Sequence, residues 1–168
     1  MREKFWEMIV NFKIAERYYW YYTCDSKKWN NVITGICLLT SASSISACYF
    51  WKQFPIIWAV IIAAAQVVSV CKPLFPFDNR LVSARYIYQD IVDLMVDVED
   101  IWGVDGSEIT ESDFKSELSK YVRRYNDIEN RFSKPDLFPA KKRLHDKAQR
   151  DAALYFRSRY NVKAVDLL

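Results

Sequence analysis

Four aspartates, Asp90, Asp93, Asp97 and Asp100, recur at spacings of three and four. On a helix this spacing gathers them on one face about 80° wide, at about 100° per residue. Such a stripe can hold a divalent cation through oxygen ligands, or it can face water and basic side chains. Arg143, Lys147, Arg150 and Arg157 form a stripe of the opposite sign at helical spacing. The two stripes could therefore pair, within one chain or between copies. The basic stripe has other uses as well. It suits anionic lipid headgroups, and it suits a nucleic-acid backbone, which attracts Lys and Arg without sequence being read. The formal net charge of +3 hides this segregation: residues 89–113 carry nine acids and no base, and residues 134–163 carry nine bases and three acids.

Catalytic constellations are missing from the sequence. There is no glycine-rich phosphate loop, no HExxH, and no Ser–His–Asp or Cys–His arrangement with usable context. His145 is the single histidine, which restricts acid–base chemistry. Cys24, Cys37, Cys48 and Cys71 form no CxxC pair, so their spacing does not suit zinc. Reduced thiols, no metal, no cofactor and no enzymatic activity are the expectation.

Hydroxyls are concentrated in one apolar run. Residues 32–50 contain Thr34, Thr40, Ser41, Ser43, Ser44 and Ser46 and no charge. Hydroxyls can bond back to the i−4 carbonyl, and small residues let helices approach closely. Ser43 with Ala47, and Ala59 with Ala63, are spaced for that. The alternative is a wet path lined by Thr34, Ser41 and Ser44 together with Gln66, the one strongly polar residue of the second apolar run. Two helices cannot enclose a pore, so such a path needs several copies of the chain.

The elements that would position these residues follow from the apolar runs. Residues 32–50 and 56–71 are nearly uninterrupted, and only five residues separate them. A bilayer core ~30 Å thick requires roughly 20 helical residues, and helix satisfies its own backbone in lipid. The expectation is a two-helix transmembrane hairpin. Lys13, Arg17, Lys27, Lys28, Lys72, Arg80 and Arg85 flank it, and its tip has only Lys52. The positive-inside rule then puts both termini in the cytoplasm of a two-span membrane protein. The run Tyr18-Tyr19-Trp20-Tyr21-Tyr22 and Trp29 would lie at headgroup level. Residues 1–31 contain charges throughout and no cleavable signal is expected.

Outside the hairpin three heptad-like seams stand out: Phe5, Met8, Phe12, Ala15, Tyr19 and Tyr22; Leu81, Ala84, Tyr88, Ile91, Met95, Val98 and Trp102; Phe114, Leu118, Tyr121, Tyr125, Ile128 and Phe132. Seams of this spacing suit helices packed at a shallow angle. A last helix is expected over residues 140–160, on a weak apolar face of Leu144, Ala148, Ala152 and Tyr155. Thr110 or Ser112 would cap the third helix. The fold class is all-α: an amphipathic or interfacial helix over 1–31, the hairpin over 32–72 and a cytoplasmic helical bundle over 78–168. Pro73 and Pro76 break the helix between hairpin and bundle. They either redirect the chain or act as a hinge that couples the two.

Ala15-Glu16-Arg17-Tyr18-Tyr19, the Lys27-Lys28-Trp29 lead-in, the tight hairpin and the long helix after it resemble SLATT-type two-transmembrane effectors of bacterial conflict systems. The resemblance covers residues 12–102. It implies an oligomer that permeabilises or depolarises the inner membrane when a partner sensor is triggered, ending in abortive infection. Sensors implied by the resemblance are nucleotide-signalling synthases and retron reverse transcriptases. A membrane anchor or adaptor that holds a partner at the bilayer is the alternative function.

Overall fold

The computed structural model describes residues 2–50, 55–71, 77–103, 111–132 and 139–161. Within them the chain forms five helices: α1 (Arg2–Phe50), α2 (Pro55–Cys71), α3 (Phe77–Gly103), α4 (Glu111–Phe132) and α5 (Lys142–Tyr160). The all-α expectation is met. One boundary differs, because α1 runs 49 residues through the point where an interfacial helix was expected to give way to a first span. No proline interrupts it. Its one glycine, Gly35, costs about 1 kcal/mol relative to alanine, too little to end a helix already propagating from both sides. Pro55 opens α2, where a missing N–H costs nothing. Asn161 closes α5 in the left-handed conformation at φ 54°, a position that asparagine tolerates.

The helices make two compact units: residues 1–23 with 82–168, and residues 24–81. The first is a four-helix bundle of the start of α1 with α3, α4 and α5. Its core contains Phe5, Ile9 and Phe12 of α1, Ile87, Ile91, Leu94 and Val98 of α3, Phe114, Tyr121 and Ile128 of α4, and Ala152 and Phe156 of α5. Contacts fix the directions. Phe5 stacks on Trp102 and Trp20 meets Tyr88, so α1 and α3 are antiparallel. Trp6 packs on Phe156 and Tyr160 while Tyr18 meets His145, so α1 and α5 are antiparallel too. Phe5 meets Phe114 and Phe12 stacks on Tyr125, so α1 and α4 run parallel. One end of the core is thus aromatic, with Phe5, Trp6, Trp102, Phe114, Phe156 and Tyr160 in mutual contact.

The membrane topology expected from the sequence is corrected by the helices themselves. Among the described residues no helix is long and apolar enough to cross a membrane. This overturns the two-span inner-membrane placement with cytoplasmic termini. α2 has 17 residues, about 25 Å at 1.5 Å per residue, against a hydrocarbon core of ~30 Å. α1 is long, but it is one helix with Asp25, Lys27 and Lys28 immediately before its apolar part. The tyrosine run is corrected with the topology. Tyr22 is buried, Tyr18 and Tyr21 contact α5 of the bundle, and Tyr22 meets Lys141 just before α5. Rings with a polar edge suit a headgroup layer, but they suit the rim of a polar helix pair equally well.

Candidate functional site

Residues 24–81 carry the surface with the least internal explanation. On α2, Ile56, Val60, Ala63, Val67 and Val70 recur at spacings of four and three, which puts them on one stripe. All are exposed: Ile56 by 77%, Val60 by 63%, Val67 by 62% and Val70 by 70%. On α1, Trp29, Val32, Ile36 and Leu38 are exposed as well. Fully burying a valine, leucine or isoleucine contributes about 1.5–3 kcal/mol, so a surface of this kind marks a contact with protein or lipid. Exposed Lys27 and Lys28 precede the α1 part.

The hydroxyl candidates fall within this unit. Thr34 is half-buried on α1 and Gln66 is exposed on α2. Ser41 and Ser44 belong to α1, but their side chains lie outside the described residues, as do Pro73 and Pro76. Cys24 is an exposed free thiol and Cys37 a half-buried one.

The bundle shows how α5, with its weak apolar face, is held. Ala148, Ala152 and Phe156 are its buried residues. Sequence spacing chose Tyr155 rather than Phe156 as the last inward position. The remaining contacts are polar and aromatic. The Tyr21 hydroxyl donates to the Asp151 carboxylate. Lys141 Nζ lies 4.9 Å from the centre of the Tyr22 ring and Lys147 Nζ 4.0 Å from that of Tyr21. The backbone N–H of Lys141 donates to the Tyr18 hydroxyl at 3.3 Å. Lower in the bundle, Lys13 is buried with Glu16, 2.6 Å away, and its ammonium sits 4.0 Å from the Tyr155 ring. Tyr155 donates to Glu99 at 2.6 Å, and Arg159 pairs with Glu99 at 3.5 Å. Burial, and then the bond to Glu99, push the Tyr155 phenol well above its usual range. Sequence reading missed this network. The available signal was the mismatch between a polar last helix and the need to bury it, which only a polar aromatic partner resolves.

The two charged stripes find other partners. Asp97 pairs with Arg124 at 2.5 Å and Asp90 with Arg131 at 3.8 Å, both between α3 and α4. Asp93 lines a small polar cleft with the same two arginines and Asp127, and Asp100 is exposed. Among the described residues no three acids, cysteines or histidines gather in position to hold a metal ion. On α5, Lys147 is on Tyr21, the Arg150 Nε donates to the Asp146 carbonyl at 3.2 Å, and Arg143 and Arg157 are exposed.

Taken together these features define an all-helical protein of two compact units, a four-helix bundle and residues 24–81. Compared with known proteins, the chain matches no family model, no curated relative and no solved structure.

Proposed function

We propose that the chain is a non-enzymatic effector in which the bundle is the receiving part and the hairpin the acting part. Assembled hairpins would disturb a lipid membrane when a partner sensor is triggered, as the sequence resemblance to SLATT-type effectors implies. The observation that carries this reading is the charge-free exposed stripe of Ile56, Val60, Ala63, Val67 and Val70 on α2. Disruption belongs to the assembly, since α2 alone is too short to span. Lipid contact needs no span, because exposed apolar side chains such as Ile56, Val60, Val67 and Val70 gain by leaving water at a lipid surface without crossing it.

The test uses the purified chain and phospholipid vesicles loaded with a self-quenched dye. Release should rise more steeply than linearly with protein concentration. A chain with Val60→Lys, Val67→Lys and Val70→Lys should lose it. Absence of both release and vesicle binding would overturn the reading. Binding without release would leave the chain as a membrane adaptor.

A further inference from the structure

The bundle uses one device repeatedly. Ammonium groups of its own lysines sit on tyrosine rings: Lys13 on Tyr155 and Lys147 on Tyr21 at 4.0 Å, Lys141 on Tyr22 at 4.9 Å, and Lys120 on Tyr121 at 5.3 Å. The negative face of an aromatic ring attracts a cation, most strongly where water is partly excluded. At Lys13 the ring is supplemented by a carboxylate, Glu16, on the same ammonium.

A cleft of about 330 Å³ between α1, α4 and α5 has the ring-and-carboxylate half of this device. Tyr18, Tyr19, Tyr125 and Glu129 line it, with the amides of Asn11 and Gln149. Tyr125 is fixed in place from behind by stacking on Phe12, with ring centres 4.7 Å apart and planes 14° from parallel. Its hydroxyl donates to Glu129 Oε1 at 2.8 Å. Tyr18 meets Tyr19 edge-on at 5.5 Å and His145 at 6.2 Å. Glu129 is half-buried, and among the described residues no lysine or arginine lies within ion-pair distance of it. Glu16, Glu99 and Asp97 of the same bundle each have such a cation. Burial first, and Glu129 next, raise the phenol of Tyr19, and burial with the Glu129 contact does the same for Tyr125.

We propose that this cleft is a binding site for a small organic ammonium ion, held against the Tyr18, Tyr19 and Tyr125 side chains with Glu129 as its counter-charge. The volume is at the small end for ligand sites. A bare divalent metal does not fit the chemistry, since Mg²⁺ and Ca²⁺ take about six or more oxygen ligands and the cleft offers one carboxylate among rings. The amide oxygens of Asn11 and Gln149 can accept from the N–H groups of a primary ammonium. A quaternary ammonium would rely on the rings and Glu129 alone.

The test is calorimetric titration of the full chain with choline, with n-butylammonium, and with 3,3-dimethylbutan-1-ol, the uncharged carbon isostere of choline. The expected result is saturable one-site binding of at least one of the two cations and none of the isostere. Stronger binding of choline assigns a quaternary ligand, and stronger binding of n-butylammonium a primary one. Glu129→Gln should weaken the binding about tenfold, equivalent to about 1.4 kcal/mol, with the thermal transition retained. Failure of both cations to bind, or equal binding of the isostere, overturns the proposal, and neither outcome depends on a variant folding.

Discussion

Lys13 and Glu16 are the most heavily buried ion pair described, at 8% and 5% exposure. A buried charge stripped of its partner costs about 3–5 kcal/mol, whereas replacing both by apolar side chains of similar volume is often neutral or better. Lys13→Met should therefore destabilise the bundle by about 3 kcal/mol, and Lys13→Met with Glu16→Met should recover most of it. Urea titration of the parent, Lys13→Met, Glu16→Met and the double variant decides this. Full additivity of the two losses would show that the pair is not coupled. Phe156 gives a second residue-scale test. It is fully covered and touches Trp6 and Tyr160, so Phe156→Ala should cost about 3–5 kcal/mol. Leu154→Ala, at a 63% exposed position, should change stability by no more than about 0.5 kcal/mol. Neither residue's role was readable beforehand. Lys13 looked like a topology signal because bases near apolar runs usually are, and Phe156 was hidden by a helix that is polar on nearly every face.

At the scale of elements, the α4 seam was the most legible. Phe114, Tyr121 and Ile128 are buried, with Leu118 and Tyr125 half-buried between them, as strict spacing of three and four requires. The α3 seam was read in the right place but too narrowly. Ile87 and Leu94 are buried beside Ala84, Ile91, Met95 and Val98, because α3 faces both α1 and α4 and needs a wider apolar face than a two-helix seam. The charged stripes show where pattern stops. Periodicity says which face carries the acids, not which neighbour meets them, and α4 rather than α5 supplies Arg124 and Arg131. Asp97→Lys should lower bundle stability slightly, and Asp97→Lys with Arg124→Asp should restore it. Exposed pairs contribute only about 0–1 kcal/mol, so chemical denaturation with replicate midpoints is the measurement to use. Three helices share a stronger pH response. Tyr19 of α1, Tyr125 of α4 and Tyr155 of α5 all have phenols raised above the ordinary value near 10, each mainly by burial. A phenol that stays neutral in the fold and ionises in the unfolded chain contributes its full stability below about pH 10 and loses it as pH rises further. Denaturation midpoints should be level from pH 8 to about 9.5 and fall steeply above that. Tyr125→Phe should make the fall shallower.

Across the whole molecule, the apolar stripe of α2 and the core of the bundle are separate assets, so they should be separable by mutation. Val60→Lys with Val67→Lys, both at outward positions, should leave the bundle transition within about 0.5 kcal/mol of the parent while changing its behaviour on vesicles. A lost bundle transition would contradict the division into two units. Helix over the two apolar runs was legible, since apolar composition is a local property, but the merging of the first run with the preceding helix into α1 was not. Whether those helices are long enough to span was not, because helix boundaries depend on where α1 begins and ends. The antiparallel pairing of α1 with α5 has a kinetic consequence. Tyr21 and Asp151, bonded in the fold, are 130 residues apart in the chain. Contacts so distant in sequence slow folding, since the entropy of closing the loop is lost before any contact forms. A ribosome making this protein releases α1 and the apolar α2 well before α5 exists to complete the bundle. For that interval the chain exposes both its unfinished core and the apolar stripe of α2, which is the state in which a chaperone, a membrane or a sister chain can capture it. A nascent chain stalled before residue 142 should therefore show no cooperative protection of α1, and completing α5 should bring that protection in a single step.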